Sequence, residues 1–157
     1  LWLLKQVIES FSIGDNLKGI PLGNLTSQVF ANIYLNELDQ FIKHKLRIKY
    51  YIRYADDFVI LHQDKHHLIT NLRDIANYLN INLKLELHPD KVFIKTITSG
   101  VDFLGWVHFP KHRILRMSTK RKMLRNIKAN PKQESIQSYL GMLKHGNAYK
   151  VSEAIRS

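Results

Sequence analysis

The chain has 157 residues, 45% of them hydrophobic, with 24 Lys and Arg against 13 Asp and Glu and a net charge of +11. That length and apolar content suit one compact domain with a real core and exclude a disordered chain. Cysteine is absent, which excludes disulfides and cysteine-ligated zinc, and no apolar run approaches a membrane span, so a cytoplasmic protein with a polyanionic partner, nucleic acid before membrane, is expected.

The chain begins at Leu1, in what reads as the middle of an element, so a fragment of a longer protein is expected. Residues 1–11 have helical apolar spacing (Leu4, Ile8, Phe11), and 13–24 read as a loop with Gly14, Gly19, Pro21 and Gly23. From Leu25 the apolar positions Phe30, Ile33, Tyr34, Leu38, Phe41 and Ile42 follow the 3.6-residue period of a long amphipathic helix. Residues 48–54 and 58–62 read as strands on either side of Asp56-Asp57. Asp64 suits the N-cap of a second helix with a stripe of Leu68, Leu72, Ile75 and Leu79. Residues 83–87 alternate with period two and predict a strand, and 92–98 predict another. Gly100 opens a hairpin through Val101-Asp102-Phe103-Leu104-Gly105-Trp106, and Pro110-Lys111-His112 turns into a short strand at Ile114-Leu115. Residues 119–129 predict a basic helix bearing Lys120, Arg121, Lys122, Arg125 and Lys128, ended by Asn130-Pro131. A last helix is expected over 134–145, with Gly146 as its stop. The order predicts an α+β fold, an antiparallel sheet with helices on one face.

The chemistry-bearing run is Tyr54-Ala55-Asp56-Asp57. Two adjacent carboxylates at the centre of a hairpin repel each other, and a divalent cation relieves the conflict because hard cations prefer oxygen ligands. That points to a Mg²⁺ site for phosphoryl-type chemistry. An Asp-Asp turn with local backbone hydrogen bonds is the plainer alternative.

Four ordered segments resemble the palm of a reverse transcriptase. Tyr54-Ala55-Asp56-Asp57 resembles the Tyr-x-Asp-Asp catalytic hairpin of that family. Upstream, Gly19-Ile20-Pro21-Leu22-Gly23-Asn24-Leu25-Thr26-Ser27-Gln28 is similar to the loop-to-helix motif that packs against incoming nucleotide and template. Downstream, Leu87-His88-Pro89-Asp90-Lys91 is similar to the motif that sets a lysine near the nucleotide phosphates, and residues 101–106 resemble the primer-grip hairpin. The basic helix would begin the thumb. Ser27-Gln28, where group II intron and retroviral-type enzymes usually carry Ser-Pro, is similar to the enzymes of diversity-generating retroelements, as is Ser138-Tyr139-Leu140-Gly141 with Lys144-His145.

The resemblance implies an RNA-directed DNA polymerase that adds deoxynucleotides (dNTPs) to a DNA primer on an RNA template. It implies two Mg²⁺ ions, with Mn²⁺ as a substitute, held in part by Asp56 and Asp57. Lys91 would neutralise or protonate departing pyrophosphate. Gly23, Ser27, Gln28 and Tyr54 would face nucleotide and template, and Phe103, Leu104 and Gly105 the primer. Lys120, Arg121, Lys122, Arg125 and Lys128 would meet the nucleic-acid backbone. A small basic accessory protein is implied by the retroelement likeness. Residues 1–117 are read as partial palm and 118–157 as the start of the thumb. The family's upstream metal-binding aspartate and its fingers have no counterpart in this sequence, so the piece alone is expected to be inactive. The competing reading is a non-catalytic nucleic-acid-binding remnant of a palm.

Overall fold

The computed structural model describes residues 25–156. The helix expected over 1–11, the loop over 13–24 and Gly23 lie outside the described residues. The chain divides into two compact units, one ending at Val92 and the other starting at Phe93.

In the first unit, α1 (Leu25–Gln40) runs into a wider turn, Phe41–Lys45. Arg47 adopts a left-handed φ of 54° before the chain enters β1 (Tyr50–Tyr54). β1 pairs antiparallel with β2 (Asp57–Leu61) in the register Tyr50↔Leu61 to Tyr54↔Asp57. Helix α2 (Lys65–Tyr78) starts as the sequence indicates, with the Asp64 carboxylate accepting from the His66 N–H at 2.8 Å. Such a cap is worth about 1 kcal/mol. Leu38, Ile42, Ile48, Ile75, Leu79 and Leu83 are buried together, and the Phe41 ring stacks on Tyr78 with centroids 4.0 Å apart. Each such side chain contributes about 1.5–3 kcal/mol. The expected apolar stripe is buried only towards its end: Leu38 of α1 and Ile42 of the turn after it lie in the core, while Ile33 and Tyr34 are exposed.

The strands expected at 83–87 and 92–98 do not form. Helix α2 continues through a wide turn, Leu79–Leu83, closed by Lys84 at a left-handed φ of 51°. Leu79 and Leu83, one helical turn apart, are both buried, so the helical spacing prevails over the period-two pattern. Residues 92–96 meet no ladder partner among the described residues, and Ile97–Ser99 is a single tight turn. An unpaired strand leaves its backbone groups to water.

In the second unit, β3 (Val101–Phe103), β4 (Trp106–His108) and β5 (Arg113–Leu115) form an antiparallel sheet in that order. Helices α3 (Met117–Ala129), α4 (Gln133–Leu143) and α5 (Tyr149–Arg156) follow. Their core joins Trp106 and Leu115 to Met123, Leu143, Ala148, Val151 and Ile155. Helix α5 has no counterpart in the sequence expectation; its buried Val151 and Ile155 are too short a pattern to stand out. Helix α4 ends at Leu143, ahead of the stop expected at Gly146; Gly146 lies in the loop beyond it, where nothing larger fits, since a Cβ there would stand 2.7 Å from Trp106 Cη2 and closer still to Cζ3. The α+β class holds, with the strands in two separate sheets rather than one. Among the described residues no helix is long and apolar enough to cross a membrane.

Candidate functional site

Asp56 and Asp57 lie at the tip of the β1–β2 hairpin. Tyr54 and Asp57 are the closing pair of the ladder, leaving Ala55-Asp56 as a two-residue turn. Ala55 takes a left-handed φ of 51°, a conformation that two-residue hairpin turns require and that glycine usually supplies. Both aspartates are exposed. Strand alternation gives the hairpin two unlike faces. Tyr51, Phe58 and Ile60 pack on the helical core, whereas Tyr50, Ile52, Tyr54 and Leu61 are exposed on the face that also carries Asp57.

Arg53 ties the turn to α1. Its Nε donates to Asp39 Oδ1 at 2.8 Å, and its Nη2 to Asp39 Oδ2, a two-pronged ion pair. The remaining nitrogen, Nη1, donates to Asn32 Oδ1 at 3.0 Å and to the Ala55 carbonyl at 2.7 Å. The Tyr51 hydroxyl donates to Asp39 Oδ1 at 2.6 Å. The hydrogen bond from Arg53, with help from Tyr51 and against the pull of burial, holds the Asp39 carboxyl below its usual value. Burial first, and then the bond to Asp39, pushes the Tyr51 hydroxyl well above its ordinary range. Arg53 itself is raised, chiefly by Asp39, and stays charged.

The other expected site residues lie on other elements. Ser27 is buried in the first turn of α1 with an Oγ that has no partner among the described residues, and Gln28 beside it is exposed. Lys91 is exposed in the tight turn Pro89–Lys91, which His88 caps by accepting from the Asp90 N–H.

In the second unit, Phe103 pairs with Trp106 across a two-residue turn of Leu104-Gly105. Both turn residues have positive φ, 52° and 80°. A bulky residue in that region is strained, at a cost of about 1–3 kcal/mol, and Leu104 holds it while exposed to solvent. The turn is fixed to the start of α3: the Arg116 N–H donates to the Gly105 carbonyl at 2.9 Å, and the Arg116 guanidinium pairs with Asp102. On α3, Arg121, Lys122, Arg125 and Lys128 are exposed and Lys120 half-buried, while Met123 faces the core. Positions 121, 125 and 128 share one helical face, so the charge forms a continuous stripe.

Asp56 and Asp57 offer the hard oxygen ligands that Mg²⁺ takes. Among the described residues no third Asp, Glu or His joins them in a metal-sized group. Mg²⁺ is commonly held by one or two carboxylates together with substrate phosphates rather than by an all-protein cage, so the pair fits that mode.

Asp39 and Arg53 are the site residues that pattern reading misses. The signal was an arginine inside an apolar strand, one residue before Tyr54, and an aspartate beside the buried Leu38 of α1.

A family model described as reverse transcriptase (RNA-dependent DNA polymerase) matches residues 10–108, more than half of the chain. The chain is 26% identical over 143 residues to the putative COX1/OXI3 intron 2 protein of Saccharomyces cerevisiae, over 56% of this chain and 17% of that protein. It is 25% identical over 150 residues to protein YkfC of Escherichia coli, over 75% of this chain and 38% of that protein. The chain thus spans well under half the length of both curated relatives.

Proposed function

This chain belongs to the reverse transcriptase (RNA-dependent DNA polymerase) family, and we propose that it is the palm and thumb base of a Mg²⁺-dependent enzyme that extends a DNA primer on an RNA template. The observation that carries this reading is the exposed Asp56-Asp57 pair at a hairpin tip, beside Tyr54 on an open face. Nucleotide addition is an in-line attack of a primer 3′-hydroxyl on the α-phosphate of a dNTP. Mg²⁺ held by Asp56 and Asp57 would supply charge stabilisation to the attacking and leaving oxygens. Asp56 would be the main ligand and Asp57 a weaker one or a tuning charge. Tyr54, opposite Asp57, would present its ring to the primer end, and Lys91 would meet the leaving pyrophosphate. Gly23, Ser27 and Gln28 would line the nucleotide and template side.

Residues 1–117 would form the palm and 118–157 the start of the thumb. The strained Leu104, with Phe103 and Gly105, would hold the primer backbone, and the α3 stripe would meet its phosphates. Such contacts position without reading sequence. Ser27-Gln28, with Asn24-Leu25-Thr26 before it, supports the diversity-generating class within the family, which would add a small basic accessory protein as partner.

The test is primer extension by the full-length protein on an RNA template with dNTPs and Mg²⁺. Extension that stops on chelation and resumes with added Mg²⁺ is the expected result. Tight primer–template binding without any extension would instead favour a non-catalytic nucleic-acid-binding remnant.

A further inference from the structure

Holding two like-charged carboxylates side by side, one in a two-residue turn and one at the strand end beside it, needs a fixed backbone, and the first turn residue is an alanine at a left-handed φ of 51° rather than a glycine. The Ala55 carbonyl receives a charge-assisted hydrogen bond of 2.7 Å from Arg53 Nη1. The same nitrogen is held at 3.0 Å by Asn32, and the other two guanidinium nitrogens are held by Asp39. Asn32 and Asp39 are both on α1, two turns apart, so the guanidinium is clamped from the helix side before it reaches the turn. Its side chain is only 10% exposed.

We propose that Arg53 is the positioning residue of the Ala55-Asp56 turn: clamped by Asp39 and Asn32, it fixes the Ala55 peptide so that the carboxylates of Asp56, in the turn, and Asp57, at the start of β2, are preset for a divalent cation. This rests on the reading of the aspartate pair as a metal site. Only arginine suits the task, because a planar guanidinium with five fixed donors serves Asp39, Asn32 and the Ala55 carbonyl together. A lysine ammonium on a flexible stem keeps the charge and one partner but not the geometry. Arg53 does not touch the metal or substrate; it acts through the turn.

The variant that separates positioning from folding is Arg53→Lys in the full-length protein. Three quantities are read: Mn²⁺ binding, from the electron paramagnetic resonance signal of the free ion; the Mg²⁺ concentration for half-maximal primer extension; and the melting temperature. Loss of a group bonded directly to a metal ligand typically weakens metal affinity by about 10–100-fold, and Arg53, which acts one peptide away, is set at the low end of that range. Arg53→Lys is therefore expected to weaken Mn²⁺ binding about tenfold, to raise the Mg²⁺ requirement in parallel, and to recover extension at high Mg²⁺ with little change in melting. Wild-type Mn²⁺ binding in Arg53→Lys, or weakened binding only in step with a lowered melting temperature, overturns the proposal. Should Arg53→Lys fail to fold, Asn32→Ala, which frees one side of the clamp, is expected to give a smaller loss in the same direction; an unchanged Mg²⁺ requirement there overturns it equally. Asp56→Asn is the control for the underlying reading. If that variant still binds Mn²⁺ and extends primers, the metal site itself is misassigned; if it loses both while Arg53→Lys does not, only the role of Arg53 fails.

Discussion

Tyr54 and Asp57 face each other as the last pair of the β1–β2 ladder, so an exposed aromatic ring and an exposed carboxylate emerge on one face of the hairpin. The opposite face is occupied by Tyr51, Phe58 and Ile60 against the helices. Tyr54 thus lies outside the core and is free to meet a ligand. Tyr54→Phe keeps the ring and is expected to leave primer extension near wild type. Tyr54→Ala removes a base- or sugar-stacking surface of the kind worth about 1–3 kcal/mol, so kcat/KM for primer extension should fall about tenfold with little loss of stability. Steady-state kinetics on the two variants, with melting curves beside them, checks this.

Gly146 and Trp106 make a sharp packing test in the second unit. A Cβ at Gly146 would run into the buried indole, which Arg113 also covers with its centre 5.5 Å from the ring. Gly146→Ala is expected to destabilise by about 1–3 kcal/mol, as overpacking does. Gly141, in the last turn of α4, has open space around its Cβ position. Gly141→Ala should stabilise by about 0.5–1 kcal/mol through the helix preference for alanine. Urea unfolding of the pair measures both signs.

The Asp39–Arg53–Tyr51 network predicts a two-sided pH dependence of stability. Arg53 depresses Asp39 below its ordinary 3.8. Its contribution is present above that value and is lost as pH falls through the lower value of the folded protein. Burial and Asp39 raise Tyr51 above its ordinary 10.0. That contribution is present below pH 10.0 and is lost as pH rises through the higher folded value. Asp39→Asn should flatten the acid limb, and Tyr51→Phe the alkaline limb. Urea midpoints across a pH series from acid to alkaline test both.

The basic helix carries a prediction about salt. Arg121, Lys122 and Arg125 are exposed, Lys120 is half-buried, and none of them has a carboxylate partner among the described residues. Each neutralised phosphate on duplex nucleic acid contributes about 0.9 to the slope of log affinity against log salt. Replacing Lys120, Arg121, Lys122 and Arg125 together with glutamine should therefore reduce that slope by up to about 3.6. Filter binding of a primer–template duplex over a salt series gives the number. An unchanged slope means that the stripe is solvated and meets no phosphate.

Much of this fold was legible because its signals are local. Asp64 announces the start of α2, the apolar runs about Asp56-Asp57 announce a hairpin, and Asn130-Pro131 ends the basic helix as its backbone chemistry requires. The failures came where local pattern is ambiguous. Leu83, Leu85 and Leu87 alternate like a strand, yet Leu79 and Leu83 also stand one helical turn apart, and burial of that pair decided in favour of helix. A strand at 92–98 needs a partner, which no local pattern supplies. The aspartate pair was readable as a candidate ligand set for a cation from charge alone, whereas Asp39 and Arg53 were not, because their pairing spans 14 residues and exists only once β1 lies on α1.

The central claim is that Asp56 serves chemistry and not binding or folding. The direct measurement is single-nucleotide incorporation by the full-length protein, wild type against Asp56→Ala, at primer–template concentrations that saturate both, with Mg²⁺ present. Incorporation in Asp56→Ala is expected to fall to background, with primer–template affinity and melting temperature close to wild type. Incorporation at the wild-type rate in Asp56→Ala would contradict the claim.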